Sequence, residues 1–160
     1  MRSKLFLYAL AFAFVPAASN AQAAHPDYSG AFTLDPAQSE QSPLVPPKLI
    51  YHIKLAGTGM VVERTQASPA GDMQTTLRYT LDGNASVNEY PVGGNVAKVS
   101  TVVTWDHESL VLSSVVPIGD NRIEQVDKWT LLDGGKKLQI ERSVNNGQQT
   151  MTGKMLLVRQ

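Results

Sequence analysis

Residues 121–158 read NRIEQVDKWTLLDGGKKLQIERSVNNGQQTMTGKMLLV, and two glycine-bearing turns inside that stretch decide the fold. Gly134-Gly135 marks a two-residue hairpin turn that sets Asp133 opposite Lys136. Counting back from it puts Leu131 against Leu138, Trp129 against Ile140 and Asp127 against Arg142, all on one face. The other face pairs Lys128 with Glu141 and Thr130 with Gln139, as a wet surface should. Asn146-Gly147 marks a second turn, which predicts Asn145 opposite Gln148, Arg142 opposite Met151 and Ile140 opposite Gly153. The two registers agree that Leu138, Ile140 and Val144 lie on a dry face with Trp129, Met155 and Leu157, and that Arg142 and Asp127 sit among them.

The same grammar extends over the chain. Beyond residue 28 no stretch has an apolar period of 3.6, and short β-branched runs alternate with Gly, Asp, Asn and Pro clusters. The spacing predicts strands over about 28–34, 48–55, 59–67, 73–81, 86–92, 96–105, 109–116, 121–132, 136–144 and 148–158. Four prolines between residues 35 and 47 argue against a long helix there and predict a loop crossing an end of the sheet. A meander with one dry face and no helical layer must close on itself. The fold class is therefore all-β, an antiparallel up-and-down meander of eight to ten strands closed into a barrel.

Several short pieces resemble a known group. Tyr28-Ser29-Gly30-Ala31-Phe32-Thr33-Leu34 is similar to the first strand of lipocalins and fatty-acid-binding proteins, with Phe32 where Trp is usual. Leu34-Asp35-Pro36-Ala37-Gln38-Ser39, Tyr79-Thr80-Leu81-Asp82-Gly83, Tyr90-Pro91-Val92-Gly93-Gly94 and Asp133-Gly134-Gly135-Lys136-Lys137-Leu138 resemble small secreted bacterial lipocalin-like proteins of unassigned function. The resemblance implies a calycin-type barrel with an internal cavity that binds a small molecule. The Pro-rich loop stands where fatty-acid-binding proteins carry a two-helix lid.

At the other end of the chain, Arg2 and Lys4 precede an apolar run from Leu5 to Val15, then Pro16 and a small-residue stretch ending Ala21-Gln22-Ala23. That is the pattern of a cleaved secretory signal over residues 1–23, since eleven apolar residues are too few to span about 30 Å of hydrocarbon. One barrel domain, residues 24–160, is expected to remain, exported to the periplasm or beyond. The full chain balances 14 basic against 14 acidic residues, which offers a nucleic acid no field. There is no cysteine, which removes disulfides, thiolate metal sites and a cysteine nucleophile. With two Trp, five Tyr and four Phe, the aromatic girdles of a membrane-spanning barrel are not expected.

Candidate site residues come from the dry face. Arg142 either holds a ligand carboxylate or phosphate, with Asp127 orienting its guanidinium, or the two neutralise each other and close one end of the barrel. A two-residue turn at Gly57-Thr58 places Leu55 opposite Met60, Ile53 opposite Val62 and Tyr51 opposite Arg64 on a shared face. Strand 73–81 turns Met73, Thr75, Leu77, Tyr79 and Leu81 inward. Tyr51, Arg64 and Tyr79 then join Arg142, Trp129 and Met151 as interior candidates, and a one-residue slip would send Arg64 to solvent. His52, opposite Glu63, is on the wet face and His107 is in a turn, so no metal or other cofactor is expected. Neither Gly-x-Ser-x-Gly nor Ser-x-x-Lys occurs. The leading reading is a binding module for a small apolar or amphipathic molecule, anionic ones included. The rival is an envelope protein whose barrel is filled by its own side chains and whose loops make contacts, with an enzyme third.

Overall fold

A computed structural model describes residues 25–160 apart from residues 70, 93, 94 and 120. The leader expected over residues 1–23 lies outside the described residues. Ten strands follow in order: β1 Gly30–Leu34, β2 Leu49–Ala56, β3 Gly59–Ser68, β4 Gly71–Thr80, β5 Ala85–Val92, β6 Asn95–Asp106, β7 Ser109–Ile118, β8 Asn121–Leu132, β9 Lys137–Asn145 and β10 Thr150–Arg159. They form one antiparallel sheet in the order β4-β3-β2-β1-β10-β9-β8-β7-β6-β5. The first and last strands are neighbours, with Phe32 opposite Arg159. Among the described residues no helix is long and apolar enough to cross a membrane.

The ladder is missing only between β4 and β5, and side chains take its place there. Asn88 accepts the Arg78 N–H through Oδ1 (2.7 Å) and donates Nδ2 to the Arg78 carbonyl (2.9 Å). Ser86 Oγ accepts the Thr80 N–H at 3.0 Å. One buried carboxamide thus satisfies both groups of Arg78 on the side of β4 away from β3, where no backbone ladder runs.

Local chemistry explains most registers. Asp133, Gly134 and Gly135 all adopt positive φ (51°, 64° and 86°), a run that needs glycine at its later positions. The β8–β9 pairing follows, with Leu131 opposite Leu138, Trp129 opposite Ile140 and Asp127 opposite Arg142. The Gly57-Thr58 turn gives Leu55–Met60, Ile53–Val62 and Tyr51–Arg64, as the sequence predicts.

The β9–β10 hairpin differs. Asn145 pairs with Thr150, so Arg142 faces Gly153 and Ile140 faces Met155, whereas a two-residue turn predicts Met151 and Gly153. The loop has four residues because the side chains of its asparagines outcompete a tight turn. Asn145 Oδ1 accepts the Gly147 N–H, and Asn146 Oδ1 accepts the N–H groups of Gln148 and Gln149. The slip is two residues, so every side chain keeps its face.

The Pro-rich segment also differs from a simple crossing. Its first half runs beside β10 where β1 has ended. Asp35 and Glu40 donate their N–H groups to the carbonyls of Leu156 and Lys154, and Ser39 Oγ accepts the Leu156 N–H. Gly153 makes room for it, since a Cβ there would lie 3.0 Å from Ser42 Oγ and 3.2 Å from Leu44 Cβ.

The end of the barrel nearest Tyr28 is solid. Phe32, Ile53, Met60, Val103, Leu110, Leu138, Ile140, Met155 and Leu157 are buried there around Tyr28 itself. The Tyr28 hydroxyl is 2.9 Å from the Glu108 carbonyl and 2.8 Å from that of Trp129, tying the N-terminal segment to β8 and the β6–β7 turn. Burial pushes its pKa up to about 12.

Candidate functional site

The opposite half of the barrel is not filled. A cavity of about 270 Å³ lies there, lined by Tyr51, Arg64, Tyr79, Asp127, Trp129 and Arg142 among others. Its rim is made of Gln66, Met73, Pro91, Val116 and Gln125, from the strand ends of β3, β4, β5, β7 and β8. Six of the seven interior candidates therefore meet in one space. Met151 does not join them: it pairs with Val144 near the β9–β10 loop and is not part of the cavity wall. The two-residue slip carries it past Arg142 toward the loop.

Asp127 and Arg142 are cross-strand partners and form a bidentate pair, Nε to Oδ1 at 2.8 Å and Nη2 to Oδ2 at 2.7 Å. Their side chains are 7% and 15% exposed. Gln125 Nε2 adds a third donor to Asp127 Oδ2 at 3.2 Å. Burial by itself lowers the pKa of Arg142, but the Asp127 carboxylate more than offsets it and the net shift is upward. Both carboxylate oxygens are thus committed within the protein, as the closure alternative requires.

Arg64 is placed differently. Its guanidinium carbon lies 5.0 Å from the centre of the Tyr90 ring, a cation–π contact. Nε is buried without a hydrogen-bond partner. Among the described residues no carboxylate comes within ion-pairing distance of it. The β2–β3 register thus settles Arg64 inside the barrel.

The aromatic walls are ordered by the same strands. Tyr51 stacks on Trp129 with centroids 5.3 Å apart and planes at 24°. The Tyr79 and Tyr90 hydroxyls hydrogen-bond at 3.0 Å across the β4–β5 seam. Burial raises the pKa of Tyr51 against the pull of Arg142 and Arg64. Burial also raises Tyr79, with Tyr90 adding to it, and raises Tyr90 despite the Tyr79 bond and Arg64. All three stay neutral donors at neutral pH. Trp129 Nε1 is a further buried donor without a partner.

Tyr90, Gln125 and Gln66 escape the sequence reading as site residues. Gln125 had a signal, since it lies two residues from Asp127 on the same face of β8. Tyr90 had a misleading one. On β5, Asn88 is buried while Val87 is 64% exposed, the reverse of hydropathy, because Asn88 is spent on the seam.

No protein-family model and no curated protein sequence matches the chain. Solved structures do match in shape. A secretory abundant heat soluble protein from Ramazzottius varieornatus is 14% identical with a TM-score of 0.62, over 83% of this chain and 95% of that one. Zebrafish ileal bile acid-binding protein complexed with cholic acid is 17% identical with a TM-score of 0.56, over 83% and 98%. A Schistosoma mansoni fatty acid binding protein in complex with arachidonic acid is 14% identical with a TM-score of 0.50, over 83% and 96%. The fold is that of the calycin barrels. With ten strands, a break between β4 and β5 and closure through β1 and β10, it is of the fatty-acid-binding-protein kind, with an irregular strap in place of the helical lid.

Proposed function

We propose that this chain is an exported barrel that holds a small amphipathic molecule in its interior. The cavity carries the reading: it lies inside a barrel otherwise packed solid, and it combines apolar walls from Val62, Leu77, Val99 and Leu112 with charged and phenolic groups. Such a mixture orients a ligand with an apolar body and a polar head. Two of the structures similar in shape hold cholic acid and arachidonic acid, both amphipathic acids. Native mass spectrometry of protein taken from its own host tests the reading, with a co-purifying small molecule as the expected result. Bare protein, together with no displacement of a polarity-sensitive dye by any amphipathic acid, would defeat it.

One observation favours the filled-barrel rival. At about 270 Å³ the cavity falls just below the ~300–1,000 Å³ usual for drug-sized ligands, since Trp129 and the apolar half occupy the rest. The ligand must accordingly be compact, or the barrel serves as a scaffold for its loops. Export through a leader over residues 1–23 belongs to the same proposal. N-terminal sequencing of the secreted form should begin Ala24-His25-Pro26, and a retained Met1 would remove that part of it.

A further inference from the structure

We infer that the head group of the ligand is an anion held by Arg64, not by Arg142, and that its body is a compact aromatic ring system. The inference rests on the ligand-binding reading above and specifies its chemistry. The formal charges on the cavity wall are Arg64, Arg142 and Asp127, so the space carries one net positive charge. Asp127 is consumed by Arg142 through both oxygens, with Gln125 on one of them. The surplus cation is therefore Arg64. A half-buried guanidinium with no anion beside it is a cost that the Tyr90 ring offsets only in part, and an incoming anion removes it.

The neutral groups point the same way. Trp129 Nε1 is a buried donor without a partner, as is Arg64 Nε. Of the two hydrogens on the Tyr79 and Tyr90 hydroxyls, their mutual bond uses one and leaves the other to donate. The wall is rich in unused donors and has its one carboxylate already occupied, which matches a ligand made of acceptors. A carboxylate or sulfonate meets that requirement, and an amine does not.

The body of the ligand follows from size and wall chemistry. Four aromatic side chains, Tyr51, Tyr79, Tyr90 and Trp129, surround a space of about 270 Å³. A long alkyl chain would have to leave much of its length beyond the rim, whereas a flat ring or fused pair stacks on the walls and fills the space.

Calorimetric titration of the intact protein with 2-naphthoate, its neutral isostere 2-naphthamide, and dodecanoate tests each part. Naphthoate should bind about tenfold or more tighter than the amide, the usual advantage of a charge-assisted contact, and tighter than dodecanoate. Arg64→Gln should bring the ratio of naphthoate to naphthamide affinity down to about one, and Arg64→Lys should retain part of the preference. The acid-to-amide ratio of the unmodified protein needs no variant, so a folding failure of Arg64→Gln does not shield the inference. Equal binding of acid and amide would overturn the anion site while leaving ligand binding intact. Tighter dodecanoate would overturn the compact aromatic body. No binding of any of the three would overturn the ligand-binding reading along with the inference.

Discussion

Replacing Arg142 with Met, Asp127 with Leu, and both together separates a closure pair from a ligand anchor. Each single change removes one partner of a bidentate, nearly buried ion pair and leaves the other charge stranded at 15% or 7% exposure. Losses of that kind run at about 3–5 kcal/mol, which for a domain of this size lowers Tm by roughly 10–20 °C. The double variant puts two apolar side chains of similar volume across the same β8–β9 rung, next to Trp129 and Leu112. It should lie within about 1 kcal/mol of the unmodified protein, or above it, because the cost of desolvating both charges disappears with their attraction. The coupling energy is then large and is read from urea unfolding at pH 7, provided the dependence on urea stays constant across the four proteins. Single losses below about 1 kcal/mol that simply add would refute the claim that the two buried charges satisfy each other. The double variant has a binding readout as well: it should keep the preference for naphthoate over naphthamide, since Arg64 is untouched. Loss of that preference would return the anion to Arg142.

Three further outcomes follow from other parts of the barrel. The folded pKa of Tyr28, about 12, exceeds its unfolded 10.0, so its contribution is complete below pH 10 and lost as pH rises toward 12, roughly 3 kcal/mol in all. Tyr28→Phe should therefore be less stable than the unmodified protein at pH 8 and draw level or overtake it by about pH 11.5, and a constant gap in pH-dependent urea unfolding would contradict the assignment. Asn88→Ala should cost about 2–3 kcal/mol and speed hydrogen exchange of the Arg78 amide, because it removes both bonds that Asn88 makes to Arg78; unchanged exchange there would show the Arg78 amide to be protected by something else. Gly153→Val should cost about 1–3 kcal/mol and make the bonds of residues 38–45 more susceptible to protease by displacing Ser42 and Leu44, and an equally resistant strap would show that it yields without detaching.

Most of the barrel was legible because its turns are chemically explicit. Gly134-Gly135 and Gly57-Thr58 each fix a register, and from those two the inward positions of Asp127, Trp129, Arg142, Tyr51 and Arg64 follow by parity alone. The Asn145–Gln149 turn was misread, since side-chain capping by two consecutive asparagines is a competition that the Asn-Gly signal does not reveal. That error moved Met151 out of the site and moved nothing else, because an even slip preserves parity. β5 was opaque for a different reason. Its inward residues are chosen to bridge a missing ladder, so Asn88 is inside and Val87 outside, and Tyr90 could not be recognised from an apolar pattern.

The role of each arginine lies beyond what parity can supply. The registers bring Arg64 and Arg142 to the same interior as equals, and nothing in their spacing ranks one over the other as a ligand contact. The difference arises from which one has a carboxylate on the adjoining rung. Asp127 is directly opposite Arg142, close enough to take up both of its facing nitrogens, while the cross-strand neighbours of Arg64 are Tyr51 and Thr75, neither of them an anion at neutral pH. An interior arginine opposite an acid is satisfied by the fold, and one opposite a phenol and a threonine is left for a ligand. If that ranking is right, introducing an acid at the rung of Arg64 should abolish anion binding without enlarging or filling the cavity. Thr75→Asp, opposite Arg64 on β4, is such a change, and its expected result is naphthoate affinity reduced to that of naphthamide with the amide little affected. A preference for the acid that survived in Thr75→Asp would mean that the charge on Arg64 does not select the ligand.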